Sequence, residues 1–418
     1  MESNIVTQST DDKFAAIKIP EFRNLILGRF LFISSLRMLA TLIGWWVYQI
    51  TKEPFAIGLI GLSEVIPALG MALYSGHYVD THDKRQILLK SVLGYALVVI
   101  VLWILSLPQT EDFLHIKHIT WFIYGLIFFT GFLRSFVGPS MNSILAFVVP
   151  HNILQNATTW NQGTWLSASV TGHAVGGLLI ALIGISNTLI CIAVGIIVSL
   201  LFFYRLKPKP PIKTKKEIST LKSIYEGLQF VYHTKALLGA MSLDMFAVLF
   251  GGAVAMIPVY ATDILKIGPT GFGWLNAAID IGAIISVVSL TLAPLKRKQG
   301  VKMLIAVAFF GVCIIVFAIS KSFILSFLVL VIAGILDGIS VVVRGTVMQL
   351  LTPDHMRGRV SSVSGMFVLS SNELGQFESG LASKIMGVIP SVVFGGSVTL
   401  LVALITWLKA PTLRKFEY

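Results

Sequence analysis

Residues 172–184 read GHAVGGLLIALIG and residues 375–387 read GQFESGLASKIMG, with glycine at the first, sixth and last positions of both stretches. The match has no gap and continues, at an offset of 203 residues, through three further pairs: Gly131 and Gly334, Leu133 and Leu336, Pro150 and Pro353. Self-similarity at a fixed distance indicates an internal repeat. Because the repeated glycines lie in long apolar runs, the sequence predicts a duplicated membrane protein.

The composition indicates which solvent surrounds the chain. Its 418 residues are 55% hydrophobic and 12% charged, with a mean hydropathy of +0.84, whereas soluble domains are about 25% charged. Runs of about 20 apolar residues are long enough to cross a bilayer as helices. The sequence thus predicts an all-α integral membrane protein with twelve transmembrane helices. We place these spans at residues 25–50, 56–79, 87–107, 119–146, 159–184, 186–205, 236–262, 271–292, 301–320, 323–347, 360–388 and 391–409.

Lysine and arginine are concentrated in the loops of one side. The loops of the other side contain only Lys52, Lys117, Lys266 and Lys321. The positive-inside rule therefore predicts that both termini are cytoplasmic, in a multi-pass protein of the cell inner membrane. Anionic lipid at the inner leaflet explains the net charge of +12, so no nucleic-acid partner is expected.

A basic segment with three prolines, KPKPPIKTKK at residues 207–216, divides the chain. Apolar residues at helical spacing follow it, as in a helix lying on a membrane surface. Since each half has an even number of spans, the halves are predicted to be parallel repeats about an axis along the membrane normal. The predicted segments are an N-terminal tail (1–24), a six-helix bundle (25–205), a cytoplasmic linker with an amphipathic helix (206–235), a second six-helix bundle (236–409) and a C-terminal tail (410–418).

Ionisable residues occur inside eight of the twelve spans. A charge at the bilayer centre costs about 2.5 to 3.5 kcal/mol even on insertion scales, so it is expected to face protein or a water-filled cavity. Spans 3, 6, 9 and 12 have none and are predicted to face lipid. The other eight can line a polar pathway, or their charges can form static ion pairs that hold the bundle together. The residues are Arg29, Arg37, Glu64, Arg134, His173, Asp244, Asp280, Asp337, Arg344, Glu373 and Glu378.

The loop after the second span reads GHYVDTHDKRQILL at residues 76–89. Gly76 is expected to let two helices approach closely, and Asp80 is placed to accept hydrogen bonds or to pair with a cation on a neighbouring helix. Lys84 and Arg85 are expected to anchor the turn at the lipid headgroups. The four residues are therefore predicted to form a gating loop.

This loop resembles the signature loop of the major facilitator superfamily, with Thr81 in place of its second charged residue and Asp83 in place of a glycine. The variant is similar to that of the branch containing macrolide efflux proteins and the enterobactin exporter. Further similar segments are EFRNL at 21–25, YEGLQFV at 225–231 and RGRVSS at 357–362. The resemblance implies the major facilitator fold and transport by alternating access.

Two motifs inside the predicted spans also resemble motifs of this family. Arg134, followed by Gly138, resembles a family motif whose arginine is associated with proton transfer. The segment GHAVGG at 172–177 is similar to the antiporter segment Gly-Pro-x-x-Gly-Gly, but His173 stands where the family has proline. Histidine does not bend a helix as proline does. His173 can either titrate during transport or remain a neutral hydrogen-bonded group.

We assign predicted roles in transport to the charged residues inside the spans. Arg37 and Arg134 offer positive charge from the first half, and Asp244 and Asp337 offer negative charge from the second. The resemblance places spans 7 and 10 at the central cavity, so these two aspartates are the first candidates for proton coupling. The predicted substrate and proton pathway comprises Arg37, Arg134, His173, Asp244, Asp337 and Glu373, and the outer-gate candidates are Glu64 and Asp280.

No motif for enzymatic chemistry or ATP hydrolysis is visible, and neither a catalytic residue, a cofactor nor a metal is predicted. Cys191 and Cys313 lie one in each half and are expected to be core residues. We therefore predict a monomeric secondary transporter whose partners are a small-molecule substrate, protons and the lipid bilayer. The predicted activity is proton-coupled export of an amphiphilic solute such as a siderophore or drug. A lysophospholipid or other lipid flippase of the same fold is the alternative.

Overall fold

The computed structural model describes residues 12–113, 115–209, 220–353 and 356–417, and within these ranges the chain forms helices and no strand. The helices of the first half are α1 Pro20–Thr51, α2 Pro54–Thr81, α3 Lys84–Leu105, α4 Pro108–Phe113, α5 Ile116–Val148 and α6 Leu154–Tyr204. Those that follow are α7 Thr220–His233, α8 Lys235–Phe250, α9 Ile257–Val259, α10 Gly268–Leu292, α11 Gln299–Ile319, α12 Phe323–Leu351, α13 Arg357–Met386, α14 Val388–Lys409 and α15 Pro411–Arg414. Residues 210–219 of the predicted linker lie outside the described residues.

Local sequence explains where the first helices begin and end. Pro20 and Pro54 stand at the first positions of α1 and α2, where the missing N–H would have no helical partner. Asp83 caps α3, because its carboxylate accepts a hydrogen bond from the backbone N–H of Gln86 at 3.0 Å. This cap is a physical reason for an aspartate at the position where the family loop has glycine.

A single glycine turns the chain between predicted spans 5 and 6. At 51 residues, α6 would extend about 77 Å if straight, more than twice the thickness of a bilayer core. Its helical geometry is broken at Gly184, which has φ 78° and ψ 178°. Gly387 separates α13 from α14 with φ 88°. Only glycine adopts such angles readily, so the two halves contain the same one-residue joint at equivalent positions of the repeat.

Ten described segments are long and apolar enough to cross a membrane. The segment containing α6 counts once although Gly184 divides it, and α13 is not among the ten. The reason is composition, since α13 contains many serines together with Asn372, Glu373, Gln376 and Glu378. The count of twelve spans therefore stays a prediction.

Predicted span 7, at 236–262, is not one continuous helix. The helix α8 ends at Phe250, and the chain continues after Gly251 and Gly252 as a 3-10 turn (Ala253–Met256), α9 and a π turn (Tyr260–Ile264). A Cβ atom at Gly252 would lie 2.7 Å from the Ser379 hydroxyl and 2.9 Å from the Gly375 carbonyl oxygen. The absence of a side chain at Gly252 therefore lets α13 approach the backbone of this segment closely.

Helices α1 and α6 pack together in the first half, α10 and α12 in the second, and α2 packs against both α5 and α13. The two sides of the bundle are defined here by their ends: the terminal side carries the start of α1 and the end of α14, and the joint side carries Gly184 and Gly387. Apolar side chains are exposed on α3, on the second arm of α6, on α11 and on α14, the four spans without interior charges. Examples are Leu97, Ile104, Val194, Leu201, Phe309, Val312, Leu404 and Leu408.

Candidate functional site

One arginine joins carboxylates of both halves near the middle of the bundle. The Arg134 guanidinium on α5 donates to Glu64 on α2 at 2.5 Å and to Glu373 on α13 at 2.8 Å. The Arg134 side chain remains 44% exposed, so the group borders open space. Charge-assisted hydrogen bonds are stronger than neutral ones. This ion pair therefore connects the first half to the second.

His173 lies in a second polar group that also links the halves. Its Nδ1 is 2.8 Å from the Thr41 hydroxyl on α1, and its Nε2 is 3.7 Å from a carboxylate oxygen of Asp280 on α10. The Thr41 hydroxyl donates to its own helix, at the Arg37 carbonyl, over 3.0 Å. With that proton committed, Nδ1 must donate to Thr41. The 3.7 Å between Nε2 and the Asp280 carboxylate is longer than a hydrogen bond, so His173 and Asp280 are neighbours without a direct bond.

Arg37 completes the group. Its guanidinium carbon lies 5.3 Å from the centre of the Trp165 ring, a cation–π contact. A Cβ atom at Gly172 would lie 2.5 Å from the Arg37 Cβ, so glycine is required where α6 passes α1. Arg37 interacts electrostatically with all three carboxylates described above. We call these six residues the central cluster: Arg37, Glu64, Arg134, His173, Asp280 and Glu373.

The structure thus brings together four of the six predicted pathway residues and both predicted outer-gate residues. Glu64 and Asp280 share one cluster with the pathway residues instead of forming a separate pair nearer the helix ends; a gating role for them remains a prediction. Thr41 and Ser169 were not predicted. Thr41 follows Arg37 by four residues, and Ser169, which donates to Asp280 at 2.6 Å, precedes His173 by four. A polar residue one helical turn from a predicted pathway residue could therefore have indicated both of them from the sequence.

Asp244 and Asp337 lie in a different place from the one expected. Asp244 on α8 forms an ion pair with Arg344 on α12, within the second half. Asp337 has no ion-pair or hydrogen-bond partner among the described residues, and with Asp244 it lines a small cavity of about 10 Å³. The negative charge facing Arg37 and Arg134 therefore comes from Glu64, Asp280 and Glu373, and the pairing of Asp244 explains why it does not contribute.

The gating loop differs from its prediction at two residues. No atom lies within 4 Å of a Cβ built at Gly76, so this glycine permits no close approach here. Lys84 is buried over the Phe147 ring, 5.4 Å from its centre, and does not reach the headgroups. Arg85 donates to the Tyr204 carbonyl at 2.5 Å, at the end of α6. Asp80 is exposed and has no hydrogen bond or ion pair within the described ranges, so its role stays a prediction.

A cavity of about 1220 Å³ lies between α6 and α10 on the terminal side. Its lining is mainly apolar, with Val287 and Leu292 on α10, and α6 adds the polar side chains Gln155, Thr158 and Gln162. Such a volume accommodates a drug-sized ligand. A mainly apolar lining with polar side chains on α6 matches an amphiphilic molecule.

The joint side is closed. Trp45 on α1 stacks on Phe272 of α10 with ring centres 5.6 Å apart, and the Tyr48 hydroxyl donates to Asp263. A Cβ atom at Gly177 would lie 2.7 Å from the Cα of Gly273, so the backbones of α6 and α10 touch. The two halves therefore meet on the joint side and separate on the terminal side.

Known transporters resemble this chain in sequence or in fold. Multidrug efflux pump Tap of Mycolicibacterium fortuitum is 25% identical over 347 residues, covering 80% of this chain and 82% of its own. Enterobactin exporter EntS of Shigella boydii is 24% identical over 401 residues, covering 95% and 94%. A solved bacterial homologue of the human lysosomal transporter Spinster, inward-facing and unoccupied, has a TM-score of 0.73 at 14% identity, covering 95% of this chain and 98% of its own. The nucleoside transporter NupG has a TM-score of 0.74 at 13% identity, covering 93% and 99%.

The match to a family profile shows which family the chain belongs to. The Major Facilitator Superfamily profile matches residues 25–376, which include the central cluster and the gating loop. The members of this family are transporters of small molecules and not enzymes. The chain therefore belongs to the major facilitator superfamily and is a multi-pass membrane transporter.

Proposed function

We propose that this transporter exports an amphiphilic organic solute from the cytoplasm across the inner membrane in exchange for protons, with both termini in the cytoplasm. The observation that carries the proposal is the Arg134 ion pair with Glu64 and Glu373, which connects two halves that must move relative to each other in alternating access. A group placed there can make the movement depend on protonation.

The charge of the central cluster supports coupling to one proton. Three carboxylates face two guanidinium groups, which leaves one negative charge when His173 is neutral. An unbalanced charge away from water is costly. In the open state described here Arg134 borders solvent, which screens this charge. When the cluster is closed off from water, one bound proton on a carboxylate or on the His173 ring neutralises it.

Glu373 is the residue to which we assign coupling. In the state described here, Arg134 holds Glu373 and the terminal side is open, so solute enters from the cytoplasm. Opening of the joint side separates α13 from α5 and leaves Glu373 without its guanidinium partner. A proton from outside then neutralises it and permits the return. When Arg134 binds Glu373 again, the proton leaves to the cytoplasm.

The direction and the solute class rest on the cavity and on the relatives. The cavity opens to the proposed cytoplasmic side, and its mainly apolar lining carries polar side chains on α6. The relatives described above are named as a multidrug efflux pump and an enterobactin exporter, which supports export over lipid flipping.

Inverted membrane vesicles test the proposal. Ethidium and radiolabelled enterobactin serve as probes, with and without an imposed pH gradient. We expect the gradient to drive accumulation of at least one probe in wild type. Glu373→Gln should abolish that accumulation but retain exchange of the probe at equal pH, since exchange does not require release of a proton. Glu378→Gln, five residues further along α13, is the matched control. Gradient-driven accumulation by Glu373→Gln would contradict the assignment.

A further inference from the structure

The small cavity beside Asp337 is outside the central cluster. It is enclosed by α8, α11 and α12 of the second half, and its apolar walls include Val248, Val307 and Phe310. Its volume of about 10 Å³ is close to the minimum for one water molecule. The cavity therefore has room for a single occupant of that size or smaller.

The charges around the cavity do not balance. Asp244 and Asp337 both line it, and Arg344 neutralises one of them by its ion pair with Asp244. The two side chains of that pair are only 12% and 6% exposed. Asp337 has no cationic partner in the described part of the chain. One negative charge is left in a largely apolar surrounding, where an isolated carboxylate is costly.

Ser340 provides an independent indication of an occupant. It is 1% exposed and lines the same cavity. Its hydroxyl has no hydrogen-bond partner among the described residues. A buried polar group left unpaired costs about 1 to 3 kcal/mol. A ligand in the cavity would satisfy it.

We propose that this cavity is a sodium site, in which one Na⁺ is held by oxygens of Asp337, Asp244 and Ser340. Carboxylate and hydroxyl oxygens are the ligands that hard cations prefer. A single positive charge balances the site, whereas Mg²⁺ would exceed it and requires near-octahedral coordination with retained water. Na⁺ is smaller than a water molecule and fits the cavity. The site does not depend on the proposed proton coupling at Glu373.

Thermal unfolding of the purified full-length protein tests the site. We compare NaCl, KCl and choline chloride at equal ionic strength. Na⁺ should raise the unfolding temperature in a saturable manner, because a ligand that binds only the folded state stabilises it. Ser340→Ala should weaken the apparent Na⁺ affinity at least tenfold, and Asp337→Asn should remove the response. Ser286→Ala is the matched control, since the Ser286 hydroxyl on α10 is equally buried and unpaired but does not line the cavity.

Binding of radioactive ²²Na⁺ to the same proteins gives a second measurement that needs no transport substrate. Glu373→Gln should bind ²²Na⁺ like wild type, which separates this site from the proposed coupling. Should Asp337→Asn fail to fold, Ser340→Ala alone decides. Equal unfolding temperatures in NaCl and KCl, or undiminished ²²Na⁺ binding by Ser340→Ala, would overturn the proposal and leave a proton on Asp337 as the neutralising charge.

Discussion

Replacing Glu373 by glutamine should shift the transporter toward the state that is open on the joint side. The substitution keeps the shape of the side chain but removes its charge from the 2.8 Å bond with Arg134. A hydrogen bond to a charged group contributes about 1.5 to 3 kcal/mol, roughly twice a neutral one. Removing the charge therefore loses about half of this contribution, roughly 0.75 to 1.5 kcal/mol. Because the Arg134 side chain is 44% exposed, solvent screening keeps the loss at about 1 kcal/mol. The population ratio of the two states should then change about fivefold.

Double electron–electron resonance measures this ratio directly. Spin labels at Asn152 and Ala293, both exposed, flank the cavity between α6 and α10, after the two native cysteines are replaced by serine. Molecules closed on the terminal side give the shorter distance, and molecules open there give the longer one. In Glu373→Gln the ratio of the closed to the open population should increase about fivefold. Glu378→Gln should leave the distribution unchanged. Identical distributions in Glu373→Gln and wild type would refute the idea that this ion pair holds the open state.

Three further outcomes are expected. Asp80→Asn should leave the unfolding temperature unchanged, since Asp80 has no partner in the described chain of this state, yet slow probe transport; a wild-type rate would mean that the loop is only a turn. Gly61→Val should destabilise the protein by about 1 to 3 kcal/mol in thermal unfolding, because a Cβ there would lie 2.6 Å from a backbone oxygen of α13. Gly125→Val, with open space around it, should be tolerated, and equal effects would contradict this packing argument. A cysteine at Lys117 should react with an impermeant thiol reagent in intact cells while one at Lys298 should not, and the reverse would overturn the orientation.

Helix positions followed from the sequence because burial in lipid requires long apolar runs. Gly184 and Gly387 mark the ends of predicted spans 5 and 11, and the structure places a joint at each. Span 7 was the exception, since the adjacent Gly251 and Gly252 interrupt a run that is apolar on both sides of them. Apolarity predicts that a segment lies in the membrane, whereas backbone freedom and packing against α13 decide whether it stays helical.

The partners of the charged residues could not be predicted from the sequence in the same way. Arg134 binds partners that are 70 and 239 residues away in the chain, and Asp244 binds an arginine 100 residues away. The sequence contains the residue types and their approximate depth, but depth alone allows many pairings of arginine with carboxylate. Which pair forms depends on which helices are neighbours and on how each helix is rotated about its axis. For this reason the sequence could not show that Asp244 pairs with Arg344 of its own half in this state.

The one-residue joints at Gly184 and Gly387 have a mechanical consequence. A connecting loop of several residues can change shape when one helix moves and so leave the next helix in place. A joint of one residue allows little displacement of one helix without movement of the other. The first arm of α6 carries His173, and α13 carries Glu373, so any shift of either passes directly to the second arm of α6 or to α14. Those arms expose apolar side chains such as Leu201 and Leu404. With the proposed movement of the two halves, we expect part of the work of each transport cycle to be done against the surrounding lipid, so that bilayer thickness and lateral pressure change its rate.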